Sequence, residues 1–205
     1  MNRKAFDSLL SWVGALLTVI LLAAGVLLNW GYSFANNTVK DQLAQQQIFF
    51  PKAGSPALGA KEFPQLQKYS EQQLLTGQQA ADYANYFIAA HLKFVNNGKT
   101  YSQTSSESRA AAAAAAAAAK AAAAAPKDAA LAAAAAAANA KAATLNDQVQ
   151  TLFRGETLRG LLLNAFAFWK LGMIAHYASL GAFGAGILML ILTLLGFRHR
   201  SKVEA

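Results

Sequence analysis

Cysteine is absent from the 205-residue chain, histidine occurs three times and proline four times. Without cysteine there is no disulfide framework, no thiolate nucleophile and no Cys-ligated metal. An extracytoplasmic segment that relied on disulfides is therefore excluded, whereas one held by helix packing is not. His91, His176 and His199 form no cluster with metal-ligand spacing. The GxSxG, HExxH and EF-hand signatures are missing, and Gly98-Lys99 lacks the preceding glycine spacing of a phosphate loop. The sequence therefore assigns no catalytic, cofactor-binding or metal-binding residue and implies no cofactor.

Acidic residues are also scarce: 10 Asp and Glu stand against 18 Lys and Arg, a formal net charge of +8. Such a balance suits nucleic acid or anionic lipid, but a nucleic-acid footprint needs a clustered basic face. Here the cations are scattered. Arg3, Lys4, Arg198, Arg200 and Lys202 flank two long apolar stretches, which reads as membrane topology. The expected partner is the lipid bilayer, and nucleic acid is not expected.

The first stretch, Leu9 to Trp30, carries no charge. About 22 helical residues reach roughly 33 Å, enough for a hydrocarbon core. Trp12 lies near one interface, and Trp30 and Tyr32 near the other. A signal peptide competes, because Ser33-Phe34-Ala35 has small-x-small form. The apolar run exceeds the usual h-region of about 7–15 residues, which favours an uncleaved span. The second stretch runs from Leu171 to Phe197. Basic residues beyond both outer ends predict cytoplasmic termini, 1–8 and 198–205, in a multi-pass protein of the cell membrane. Residues 31–170 then lie outside the cytoplasm. The expected fold class is all-α: transmembrane helices over 9–30 and 171–197, with a helical extracytoplasmic segment between them.

Within the second span, Ala178, Ala182 and Gly186 recur every four residues. Such a stripe lets helices approach closely and predicts self-association, pairing with another membrane protein, or pairing with the first span. His176 falls near the interface, and Lys170 lies further out, where it can snorkel.

Between the spans, residues 36–48 extend the first helix, and Pro51, Pro56 and Pro64 mark a loop. Phe49 and Phe50 are expected to be covered. Gly77 to Asn97 carries an apolar helical stripe, Ala80, Tyr83, Ala84, Phe87, Ile88, Leu92 and Val95, with His91 beside it as a packed residue. Asn96 to Gly98 is a stop, Gly98 suiting the left-handed position. Thr104 and Glu107 have the spacing of a capping box. Gly155 predicts an interruption before a further apolar stripe, Leu158, Leu161, Leu162, Ala165, Phe166 and Trp169, and Glu156 and Arg159 are placed to pair.

Residues 109–143 are almost pure alanine. Alanine is the strongest helix former, and Pro126 predicts a bend or short hairpin between two rods. Lys120, Lys127, Asp128 and Lys141 argue against a third span, since a mid-membrane charge costs about 2.5–3.5 kcal/mol. The tract reads as a spacer too uniform to hold a precise site. Specific recognition is expected either side of it, in 42–106 and 145–169.

Three further pieces, "VKDQLAQQQIFFP", "YANYFIAAHLKFVNNGKTYSQTSS" and "TLFRGETLRGLLLNAFAFWKLGMIA", together with the two spans in order, carry a resemblance. The chain resembles a family of two-span bacterial membrane proteins of uncharacterised function. Some relatives carry a ring-opening dioxygenase label, but such chemistry needs metal ligands, and this sequence presents no such set. Two anchors, a helical segment between them and the lack of a catalytic constellation instead favour a membrane-anchored, non-enzymatic protein whose outer part is a protein-interaction or envelope-structural module. A small oligomeric transport or channel subunit is the alternative suggested by the Gly/Ala stripe. An enzyme using His91, Lys99 and Tyr101 is a third.

Overall fold

The computed structural model describes residues 3–203, with side chains from Ala5 to His199. Arg3, Lys4, Arg200 and Lys202, on which the topology expectation partly rests, lie outside the described side chains. The fold is all-α, with two long apolar helices. Helix α1 spans Arg3–Gln45; α2 spans Gly77–Asp82 and passes through a π-helical turn, Tyr83–Ile88, into α3, Ala89–Leu92. Helix α4 spans Tyr101–Ala124 and α5 spans Ala129–Val203. Short 3-10 turns occupy Pro64–Tyr69 and Val95–Gly98. Among the described residues, extended pairing is limited to one isolated bridge, Phe49 with Gln73.

Two compact units result. The first comprises Met1–Gln47, Leu75–Gly77 and Ala165–Ala205; the second comprises Ile48–Leu74 and Gln78–Asn164.

In the first unit, α1 pairs antiparallel with the later part of α5. No proline interrupts α1, and it ends where Gln47 turns left-handed at φ 51°. The buried or half-buried positions of α1 repeat every seven residues: Ser11, Thr18, Gly25, Tyr32 and Val39 in one row, Gly14, Leu21, Leu28 and Ala35 in the other. On α5, Gly172, Ser179, Gly186 and Thr193 are all buried at the same interval. A seven-residue repeat keeps one seam facing its partner helix. The small residues in that seam bring the backbones together. A β-carbon added at Gly14 would lie 2.6 Å from Thr193 Oγ1, one at Gly25 2.8 Å from the Phe183 ring, and one at Gly172 2.8 Å from Ala35 Cβ. Three buried hydroxyls in the seam turn back to their own helix: Ser11 Oγ donates to Asp7 O at 2.9 Å, Thr18 Oγ1 to Gly14 O at 2.8 Å, and Ser179 Oγ to His176 O at 2.7 Å, whereas Thr193 Oγ1 is buried without a hydrogen-bond partner.

In the second unit, α4 and the earlier part of α5 form an antiparallel hairpin. Proline disfavours the α region for the residue before it, and Ala125, ahead of Pro126, leaves the helix at φ −131°, ψ 69°. The turn closes with Asp128 N donating to Ala125 O at 2.9 Å. Asp128 then caps α5, its Oδ1 accepting from Ala130 N and Leu131 N at 2.9 and 3.2 Å. The alanine seam is again seven-fold: Thr104, Ala111, Ala118 and Ala125 with Ala115 and Ala122 on α4, against Leu131, Ala138, Leu145 and Leu152 with Ala135, Ala142 and Val149 on α5.

A small core supports the hairpin base. Phe50, Leu58, Leu66, Leu74, Ala80 and Ala84 are buried, and Phe50, Tyr83, Phe87, His91 and Phe63 form a run of ring contacts. Gln67 holds the proline loop: its Nε2 donates to Leu58 O at 3.1 Å and Phe63 O at 2.9 Å, and its Oε1 accepts from Gly54 N at 3.1 Å.

Several expectations are corrected here. Gly155 does not interrupt α5; it lies against the Leu92 side chain, so its missing Cβ serves a close contact. The helix beginning at Gly77 ends at Leu92, short of Asn97. Asn96 and Asn97, as well as Gly98, are left-handed, with φ of 44°, 58° and 76°. The cap of α4 is Thr100, whose Oγ1 accepts from Gln103 N while Gln103 Oε1 accepts from Thr100 N at 2.9 Å. Thr104 is instead buried one turn further in. Phe50 is covered, whereas Phe49 is exposed.

Candidate functional site

Two features of the described residues are candidates: the outer surface of the first unit and a crevice in the second.

The outer surface of the first unit is apolar. Only 17% and 11% of the most hydrophobic windows of the two long helices are buried, so these residues face outward instead of filling a core. Leu9, Trp12, Leu16, Ile20, Leu27 and Trp30 on α1, and Leu171, Ile174, Leu180, Leu188, Ile191 and Leu195 on α5, are exposed. Aromatic groups mark both ends of this band. Trp12 meets Phe197 edge-on at 5.9 Å; Trp30 stacks on Phe34 at 5.8 Å, and Phe34 meets Phe168 at 6.3 Å. Along α1, Trp12 and Trp30 are about 27 Å apart at helical rise.

The stripe expected to associate divides. Gly186 is buried and faces Leu22 of α1, Ala182 is half-buried, and Ala178 is exposed. The α5 row closed against α1 is Gly172, Ser179, Gly186 and Thr193, at intervals of seven, where the sequence stripe ran at intervals of four. His176 is half-buried in the same seam, its ring 4.4 Å from that of Tyr32.

In the second unit, Asp82 is buried and fully engaged. Tyr69 Oη donates to its Oδ2 at 2.8 Å, Gln78 Nε2 donates to its Oδ1 at 3.0 Å, and Lys68 Nζ lies 3.6 Å away. Burial first, and the bond to Asp82 second, hold the Tyr69 phenol above its ordinary pKa. Each oxygen of this side chain accepts a hydrogen bond, as expected of a buried polar group that fixes structure. Arg159 plays a related part: its Nε donates to Ala84 O at 3.2 Å, within the π-helical turn, while its Nη1 pairs with Glu156 at 2.8 Å as the sequence spacing predicts.

The crevice, of about 810 Å³, lies between α4 and α5 beside the Asn96–Lys99 turn. Its floor is Ala110, Ala111, Ala114, Ala138 and Leu145; its polar rim is Asn96, Lys99, Glu107, Lys141, Thr144 and Gln148. The Glu107 carboxylate accepts from Lys99 Nζ at 2.6 Å and from Asn96 Nδ2 at 3.1 Å. Lys99 first, then Asn96, hold its carboxyl below the usual range, with Lys141 adding a smaller attraction. Sequence reasoning missed this site, because a uniform tract hides which alanines line a groove.

The three residues of the enzymatic alternative have different surroundings. His91 is exposed, a correction to its expected packed position, with Nδ1 2.7 Å from Phe87 O and its ring stacked on Phe63. Lys99 pairs with Glu107, and the Tyr101 ring meets Phe153 at 5.9 Å. Among the described residues no group of three or more His, Asp or Glu is placed to hold a metal ion.

No protein-family model, curated protein or solved structure matches the chain.

Proposed function

We propose that this chain is a two-span protein of the cell membrane, with both termini cytoplasmic, whose second unit lies outside the cytoplasm as a non-enzymatic protein-interaction or envelope-structural module. The observation that carries the proposal is the outward-facing apolar band of the first unit, bounded by aromatic residues about one hydrocarbon thickness apart. Left in water, that band would be far larger than the apolar patches soluble proteins expose. The cations flanking the two helices favour cytoplasmic termini. The resemblance to two-span bacterial membrane proteins points the same way.

Retention of α1 is part of the proposal. Ala35, the residue before which a signal peptidase would have to read Ser33 and Phe34, is buried in mid-helix against Gly172.

A cysteine-free chain allows a direct test. Single-cysteine variants Lys127→Cys and His199→Cys are exposed to a membrane-impermeant maleimide in intact spheroplasts. Labelling of Lys127→Cys at once, and of His199→Cys only after permeabilisation, is the expected result. The opposite pattern overturns the orientation, and extraction of the protein by alkaline carbonate overturns membrane spanning.

A further inference from the structure

We propose that the helix formed by α2, the π-helical turn and α3 is a two-register element, latched in its present register by Arg159 of α5. The latch is independent of whether the second unit is an interaction module. The π-helical turn has no local cause. Such turns are rare and arise mostly as one extra residue in an α-helix. Sharp departures from a regular helix usually trace to proline, glycine or an inserted group. Tyr83–Ile88 reads YANYFI, with neither proline nor glycine. The extra residue must therefore be held from outside.

Helix α5 supplies the hold. In an α-helix the Ala84 carbonyl would accept from Ile88 N. Here it accepts from Ala89 N, and Arg159 Nε donates to it at 3.2 Å. One turn earlier on α5, Gly155 leaves room for Leu92; a β-carbon there would fall 2.5 Å from Leu92 Cδ2. Closing the π-turn into α-helix would shift each residue beyond it by one position. His91 would then come over Gly155, and Leu92 would turn outward to the place of exposed Lys93. The shift must fall on the C-terminal side, because Asp82, at the end of α2, is fixed by Tyr69 and Gln78. Beyond α3, Asn96 Nδ2 donates to Thr104 and Glu107, and a one-residue shift withdraws it. Arg159 thus couples α5 to the Asn96–Lys99 turn. Its Nη1 pairs with Glu156, an exposed residue, so the latch is reachable from solvent.

The test makes His91→Cys and Leu92→Cys singly in the otherwise cysteine-free, full-length protein and times their reaction with a maleimide in detergent. Position 91, exposed, should react faster than position 92, half-buried. Adding Arg159→Met should slow position 91 and speed position 92, moving the ratio of the two rates by about tenfold, the contribution of one hydrogen bond from a charged group. Deleting Asn85, an exposed residue of the π-turn, removes the extra residue itself. Position 92 should then keep its place over Gly155 and its slow rate, and Arg159→Met should no longer move the ratio. Rates that rise together at 91 and 92 would report local unfolding and overturn the proposal. A ratio that Arg159→Met leaves unmoved in the undeleted chain would do the same, as would a deletion of Asn85 that makes position 92 fast.

Discussion

In the first unit two helices meet through Gly172, Ser179, Gly186 and Thr193 set against Ser11, Thr18 and Gly25; in the second they meet through alanines at the same seven-residue interval. Both are antiparallel pairs whose closeness comes from small seam residues. Their outer faces differ. Leu, Ile, Val and Trp cover the first pair, while alanine interrupted by Arg109, Lys120 and Lys141 covers most of the second, with Phe153, Leu158 and Leu161 exposed further along α5. Seam and surface are thus set separately. Small residues at intervals of seven fix how near the helices come, and the remaining positions choose the solvent. Burial of apolar area in water stabilises a seam at roughly 25 cal/mol per Å². Between helices in lipid that drive is lost, and van der Waals packing must suffice. Gly14, Gly25 and Gly172, where an added β-carbon would fall 2.6, 2.8 and 2.8 Å from the facing helix, suit the membrane reading proposed above.

The sharpest way to break the comparison is to place one charge on each outer face. Ile20→Lys, in the middle of the first unit's apolar band, should raise the apparent free energy of insertion by about 2.5–3.5 kcal/mol. Ala113→Lys, on the exposed face of α4, should change thermal stability by no more than about 0.5 kcal/mol. A glycosylation-reporter insertion assay reads the first and circular dichroism in detergent the second. Equal effects would mean that the two faces do not see different solvents.

Filling the seams comes next. Gly186→Leu forces a side chain where a β-carbon already falls 2.9 Å from Leu22, and overpacking of this kind costs about 1–3 kcal/mol. Ala115→Leu, at a buried position of the alanine seam, should cost a similar amount. Gly184→Leu is the control, because nothing lies within 4 Å of its β-position; it should be silent. Unfolding in mixed micelles ranks the three. A silent Gly186→Leu would show that the first seam is loosely held.

These seams were poorly legible in the sequence, for a physical reason. Hydrophobic periodicity finds a core by its large residues, and in the first unit most of the large residues face outward. Ala178, Ala182 and Gly186 drew attention because four-residue spacing of small side chains is conspicuous, yet the buried row passes through Gly186 at intervals of seven. In the alanine tract no internal signal exists. Its register is set from its ends, by Thr104 on α4, by the Pro126–Asp128 turn, and by Leu131, Leu145, Val149 and Leu152 on α5. The two long apolar helices, the turn at Pro126 and the left-handed Gly98 were legible because each depends on one local property: hydropathy, a fixed φ, or a missing Cβ. The close approach of Leu92 to Gly155 was not, because the two lie far apart along the chain. The groove at Lys141 was hidden for the same reason: Asn96 and Lys99, which wall it, lie far away along the chain.

A smaller effect separates the two candidate caps of α4. Thr100→Ala removes the hydroxyl that accepts from Gln103 N and should cost the second unit about 1 kcal/mol. Thr100→Ser should recover most of it. Thermal denaturation followed by circular dichroism checks both. If Thr100→Ser proves as damaging as Thr100→Ala, the loss lies elsewhere than in the cap.

The smallest expected effect concerns pH. From Ser11 to Val39 the α1 seam carries no carboxylate, whereas Glu107 lies at the mouth of the second unit's groove, its carboxyl held below the ordinary value of 4.5 by Lys99 and then Asn96. A carboxyl lowered in the folded state contributes stability above its unfolded value. That contribution is lost as pH falls through the lowered folded value. Stability of the second unit should therefore decline below about pH 4.5. Glu107→Gln should flatten the decline without altering stability changes above neutrality, and Lys99→Met should act in the same direction. Because the carboxylate faces solvent, water and salt screen the pair, and the shift in the acid midpoint should shrink further at high ionic strength. An acid transition that Glu107→Gln leaves unmoved would assign the pH response to other carboxylates, and the Asn96–Glu107–Lys99 cluster would then shape the groove without coupling it to protons.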